Sequence, residues 1–88
     1  MDQTIAVIPK NKFEEIRVRL QKFKGKHFID IRVYMSPVID GHFTLLNSKN
    51  SELCTPTTKG IAISLQSLAD IKSAIADAET IILEKHLI

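Results

Sequence analysis

Two alternating runs joined at one glycine constrain this chain more than any other feature. In Ile16-Arg17-Val18-Arg19-Leu20, the apolar Ile16, Val18 and Leu20 fall on one side of an extended strand. Arg17, Arg19, Gln21 and Phe23 fall on the other. After Lys24-Gly25-Lys26 the alternation resumes, in a strand from about His27 to Met35. Ile29, Ile31 and Val33 share one side of it, and Phe28, Asp30, Arg32 and Tyr34 the other. A period of two with β-branched residues suits strands, and Gly25 suits a tight turn, so the two runs predict a long antiparallel hairpin. One face of that hairpin is apolar and can be buried. The other combines Arg17, Arg19, Phe23, Phe28, Arg32 and Tyr34, with Lys24 and Lys26 at the turn.

The rest of the chain reads as support for this surface. Thr4–Ile8 is a short strand stopped by Pro9, because proline cannot donate to a ladder. Lys10-Asn11-Lys12 is a polar connection into the second strand. Ser36-Pro37 ends the third strand, Asp40-Gly41 is a turn signal, and His42–Leu46 reads as a short strand. Asn47–Thr58 is rich in Asn, Ser, Thr and Pro and reads as a loop, long for a small domain. Gly60–Ser64 is the last strand, with Ile61 and Ile63 inward.

A helix follows. Leu65, Leu68, Ile71, Ile75, Ala78 and Ile82 recur every three or four residues and trace one apolar stripe. Ser64 or Ser67 suits the N-cap, and Asp70 suits the first turn. Ile81, Leu83, Leu87 and Ile88 add apolar surface outside the stripe. A chain of 88 residues is one small domain, spanning 1–88, and its single sheet cannot cover so much. The helix is therefore expected to form a subunit interface through Leu68, Ile71, Ile75 and Ile82.

Charge is uneven along the chain. The net charge is only +2, yet residues 10–32 hold eight basic groups against three acids. Residues 65–88 hold two basic groups against four acids. A basic segment with interleaved aromatic rings suits a polyanion, and unpaired nucleobases stack on such rings. The flat face suits a single strand better than a duplex groove. Residue types alone leave DNA and RNA both open.

Other function classes find less support. His27, His42 and His86 are scattered and do not reach metal-ligand spacing with Cys54. Cys54, the only cysteine, has no recognisable orienting partner for nucleophilic work and excludes an internal disulfide. Glu14 and Glu15 are adjacent in a strand, point to opposite faces and make a poor acid/base pair. Three glycines do not build a phosphate loop. No enzyme and no cofactor is expected. No apolar run approaches the length of a membrane span, and Ile5–Ile8 is too short for a secretory leader, so the expected location is the cytoplasm.

One resemblance covers roughly residues 5 to 84. Phe23-Lys-Gly-Lys26, Ile29-Asp-Ile-Arg32 with Tyr34, and Thr55-Pro-Thr-Thr-Lys-Gly-Ile-Ala-Ile63 before a C-terminal helix resemble the transcriptional positive coactivator family. Its members bind single-stranded DNA and are distantly related to the Whirly proteins. The approach Glu14-Glu15-Ile16-Arg17-Val18 is similar to the bacterial branch. The resemblance implies an α+β fold: a four-stranded antiparallel sheet, five-stranded if the extra segment joins it, followed by one helix that pairs two subunits. It implies a nucleoid-associated homodimer on single-stranded or melted DNA, beside the transcription machinery. Carried over by position, Phe23 is the base-stacking residue, Lys24, Lys26 and Arg32 contact backbone or base edges, and Lys59 precedes the last strand. Arg17, Arg19, Phe28 and Tyr34 complete the expected surface. This chain departs from the family pattern at Met35, where eukaryotic members carry a stacking tryptophan, and at Thr58, where a second basic residue is common. Its Ser36–Thr58 connection is also longer, enough for an extra hairpin. A protein-interaction module, in which the same surface contacts a polymerase or regulator, is the alternative.

Overall fold

The computed structural model describes residues 2–46 and 51–88. Six strands and one helix follow in order: β1 (Gln3–Pro9), β2 (Glu14–Phe23), β3 (Lys26–Met35), β4 (Val38–Ile39), β5 (His42–Phe43), β6 (Thr55–Ser64) and α1 (Leu68–Glu84). Strands β1, β2, β3 and β6 form one antiparallel sheet in that order, and β4 and β5 form a separate two-stranded hairpin. The architecture is thus the expected α+β sheet and C-terminal helix, with the extra segment building a second small sheet rather than a fifth strand of the first.

The β2–β3 pairing carries the fold. Its register runs without interruption from Glu14 opposite Met35 to Phe23 opposite Lys26. The two-residue turn between them holds Lys24 at φ 50° and Gly25 at φ 80°. Positive φ at both positions is the type I′ turn, whose twist matches that of the strands it joins. Asp40 and Gly41, at φ 52° and 78°, turn β4 into β5 with the same signs.

The last strand begins five residues earlier than the pattern of Gly60–Ser64 suggests. Thr55 and Pro56 pair with Met35 and Tyr34, so residues 55–58 belong to β6 rather than to a loop. Residues 47–50 of that expected loop lie outside the described residues, and 51–53 form a 3-10 turn. The alternation is hidden because the register shifts between Arg32 and Tyr34. Thr57, Thr58 and Lys59 bulge there, opposite Val33. Thr57 Oγ1 donates to the Val33 carbonyl at 2.8 Å and pins the bulge. Beyond it Gly60 crosses so close to β3 that a Cβ would lie 2.6 Å from the Ile31 carbonyl oxygen and 2.9 Å from the Arg32 Cα. Only glycine fits that crossing without displacing backbone.

Burial departs from the simple two-faced sheet. Ile29, Ile31 and Val33, expected at the core, are half-buried, and Ile61 is 57% exposed, whereas Ile63 is buried. On the face expected to be wet, Glu15, Asp30 and Tyr34 are buried. A 3-10 turn at Leu65–Ser67 leads into α1, so Leu65 precedes the helix proper. Ser67 occupies the N-cap without a side-chain cap bond; its hydroxyl lies 3.1 Å from that of Ser64 instead. Helix α1 buries none of its residues. Leu68, Ile71 and Ile82 are half-buried and Ile75 is 62% exposed. Sheet and helix spread over 45 × 42 × 20 Å, a flat shape with little interior.

Candidate nucleic-acid interface

The ladder brings the expected residues together as pairs. Arg17 lies opposite Arg32, Arg19 opposite Asp30, Gln21 opposite Phe28 and Phe23 opposite Lys26. Directly opposed residues of an antiparallel pair share a face, so one surface holds them all. It is divided, however, into a closed end and an open end.

At the closed end the charges neutralise one another. Arg17 bonds the buried Glu15 carboxylate through Nε, and its guanidinium lies over the Tyr34 ring, 4.4 Å from the centroid. Tyr34 is 7% exposed. This corrects the expectation that its ring stands in water: Arg17 stacks on it, so no base can stack on that side. Cys54, arriving just before β6, is buried as well, and burial pushes its thiol pKa up, with Glu15 adding to the effect and Arg17 opposing it. Arg32 grips Asp30 with Nε at 3.1 Å and NH2 at 3.0 Å, while NH1 donates to the Thr57 carbonyl at 2.9 Å. The hydrogen bonds to Asp30 raise the guanidinium pKa still further. Arg32 is therefore a strut between β3 and the bulge of β6, with its charge already met.

At the open end no basic side chain is ion-paired to a carboxylate among the described residues. Phe23 is 66% exposed at the hairpin turn, and the Lys24 ammonium sits 5.4 Å from its ring centroid. Lys24 and Lys26 are exposed. Arg19 is half-buried, its Nε donating to the Thr4 hydroxyl at 3.2 Å. Phe28 is half-buried in a cleft of about 430 Å³ whose walls include Lys26, Ala62, Ser64 and Leu65. The small Ala62 and Ser64 pair with Asp30 and Phe28 and leave this cleft open beside the ring.

Lys59 stands apart from that end. It is exposed on the β6 bulge, near Glu14. Glu14 accepts a hydrogen bond from Asn11 Nδ2 at 2.7 Å, the main cause holding its carboxyl below the usual range. Phe13 and Phe43, which the alternation does not single out, meet near Lys59 with ring centroids 6.0 Å apart. Their signal was the connection Asn11-Lys12-Phe13-Glu14: Asn11 Oδ1 accepts from the backbone N–H groups of Phe13 and Glu14, both at 2.9 Å. That is an Asx turn, which fixes where Phe13 points its backbone into β2.

Among the described residues no group of three or more His, Cys, Asp or Glu could hold a metal ion, and no helix is long and apolar enough to cross a membrane.

Comparison with known proteins now adds to this geometry. No family model and no curated protein matches the sequence. Solved structures do match. A PC4 homolog from Burkholderia pseudomallei aligns with 90% of this chain and 98% of its own, at a TM-score of 0.67 and 25% identity. The orthorhombic crystal form of the same protein gives 0.66 at 22% identity, over 88% of each chain. The chain shares the fold of this PC4 homolog. The bacteriophage T5 homolog of the eukaryotic transcription coactivator PC4, implicated in recombination-dependent DNA replication, shares the fold at a TM-score of 0.59 and 20% identity, over 98% of this chain and 88% of its own. In this chain Met35 stays on the side that strict alternation gives it, paired with Glu14 and Thr55. The only register shift at that end belongs to β6, so no bulge turns Met35 to the face of Phe23.

Proposed function

We propose that this chain is a non-catalytic, coactivator-like protein that binds single-stranded or melted DNA as a homodimer, in the cytoplasm and near the nucleoid. The observation that carries the reading is the exposed Phe23 ring at the head of the β2–β3 hairpin, between Lys24 and Lys26. An aromatic ring two-thirds in water offers an unpaired base a stacking platform worth about 1–3 kcal/mol. The lysines beside it take phosphates and release counterions. Arg19 and Phe28 extend the platform along the strands, and the fold shared with PC4 homologs supports the assignment. Arg17, Arg32 and Tyr34 serve it from the closed end of the same face, as the frame that sets the hairpin. The dimer is supported by α1, whose apolar stripe meets no strand that buries it.

Fluorescence anisotropy with a labelled oligothymidine, against a duplex of equal length, tests the reading. Binding of the single strand at nanomolar to micromolar concentration is expected, with the duplex much weaker. Lys24, Lys26 and Arg19 meeting three phosphates predict a log–log salt slope of roughly −2 per protomer. An oligouridine arm separates DNA from RNA. Absence of single-strand binding even at low salt would sink the reading and favour a protein-interaction module.

A further inference from the structure

Stacking and phosphate contacts do not distinguish one base from another, yet the cleft beside Phe28 has walls that can. It measures about 430 Å³, and Phe28, Lys26, Ala62, Ser64, Leu65 and Gln66 line it. We propose that this cleft selects a purine: one adenine or guanine of the bound strand lies against the Phe28 ring, its edge hydrogen-bonded by the Gln66 amide. The proposal rests on the single-strand reading above and adds a base preference to it.

The end of β6 makes the cleft. Phe28 pairs with Gln21 on one side and Ser64 on the other, and the next position on that face pairs Asp30 with Ala62. A methyl and a hydroxymethyl are all that β6 sets beside the Phe28 ring, so the ring keeps an open flank. The chain then leaves the sheet: Ser64 is extended, at φ −66° and ψ 152°, and Leu65–Ser67 form a 3-10 turn. That turn brings Leu65 and Gln66 to the rim as the opposing wall. The Ser64 hydroxyl lies 3.1 Å from that of Ser67, a contact that braces the turn. Phe23 pairs with Lys26, so Phe23 and Phe28 are diagonal neighbours on one face. Such positions lie about 7–8 Å apart, about twice the 3.4 Å spacing of stacked bases. Two consecutive bases splayed by one stacking step therefore reach both rings, with Lys26 placed for the phosphate that joins them.

The lining chooses the occupant. Among the described residues no carboxylate lines the cleft, and Asp30, on the same face, is already held by Arg32. A polyanion therefore meets no repulsion there. Phe28, Ala62 and Leu65 make the walls largely apolar, and the volume lies toward the lower end of the range for small-ligand sites, room for a base of either size. The larger base buries more apolar surface and covers more of the Phe28 ring, which favours a purine. Gln66 supplies one donor and one acceptor side by side, the pair that an adenine edge meets in bidentate contact. Guanine offers a carbonyl and a ring N–H on the edge that a single strand leaves unpaired, and the turned amide meets those. A pyrimidine presents similar groups on a smaller ring and stacks less.

Competition anisotropy tests the preference with ten-nucleotide strands: oligothymidine alone, and oligothymidine carrying one central adenine, guanine or cytosine. The two purine strands are expected to bind roughly fivefold more tightly than the other two. Ala62→Leu fills the cleft from an exposed position of the edge strand. It is expected to bring all four strands to one affinity, with oligothymidine binding within about twofold of wild type and an unchanged far-ultraviolet circular dichroism spectrum. Gln66→Ala, in the exposed turn, is expected to narrow the preference to roughly twofold. Equal affinities in the wild type, or a preference that survives Ala62→Leu, would overturn the purine subsite and leave the hairpin platform standing. No binding of any strand, even at low salt, would overturn the platform as well.

Discussion

Phe23 and Tyr34 belong to one hairpin face, and the fold uses them in opposite ways. Alternation places both rings on the same side, and the ladder keeps them there. What alternation does not contain is the partner that arrives from elsewhere. Tyr34 is closed over by Arg17, with the buried Glu15 and Cys54 around that guanidinium. Cys54 comes from a segment whose composition reads only as polar loop, so its burial was illegible. Phe23 has the exposed Lys24 ammonium 5.4 Å from its ring centroid and still stays 66% exposed. The two positions therefore separate affinity from stability. Phe23→Ala is expected to leave stability within about 0.5 kcal/mol, as surface changes do, and to weaken single-strand binding by about 1–3 kcal/mol. Tyr34→Ala is expected to cost about 3–5 kcal/mol of stability, the range for truncating a buried aromatic ring. Urea denaturation beside anisotropy measures both. A stable Tyr34→Ala variant with lost affinity would return Tyr34 to the binding surface.

At the scale of the element, the β2–β3 hairpin shows a local cost with a use. Its type I′ turn asks for positive φ at both central positions, where Asn-Gly or Asp-Gly is preferred. Gly25 meets that demand, but Lys24 sits at φ 50°. A side chain such as lysine costs roughly 1–2 kcal/mol in that region. The equivalent turn between β4 and β5 uses Asp40-Gly41 and avoids much of this cost. At the proposed interface the Lys24 ammonium beside Phe23 would be the use that offsets this cost. Lys24→Asn is accordingly expected to raise stability by about 0.5–1 kcal/mol while weakening oligonucleotide binding and making the salt slope shallower by roughly 0.7. Thermal denaturation and a salt titration decide it; a variant that is neither more stable nor weaker at binding would show that Lys24 is only a turn residue. Strand boundaries were legible here because β2 and β3 alternate without a break. They were not legible in β6, where the bulge at Thr57–Lys59 interrupts the period and the close crossing requires the glycine at position 60.

For the whole molecule, the order of strands and the C-terminal helix could be read from period alone, since runs of two and of three to four do not resemble each other. The interior could not. A sheet with Ile61 57% exposed and a helix without a buried residue leave the apolar faces that periodicity assigns to a core still half in water. In this flat arrangement the described residues of the chain cover neither fully. The second copy proposed above would, and Ile75, 62% exposed in the middle of the stripe between Ile71 and Ile82, is the position that tests it. If the chain works alone, Ile75→Glu changes an exposed helix position and shifts stability by no more than about 0.5 kcal/mol. If α1 packs on its mate, the same change buries a charge in an apolar contact and separates the copies. Light scattering of the wild type at micromolar concentration is expected to give twice the monomer mass. Ile75→Glu is expected to give the monomer, or a fold whose melting temperature falls and no longer rises with protein concentration. A wild type that is monomeric at these concentrations, with Ile75→Glu indistinguishable from it, would remove the helix from the interface.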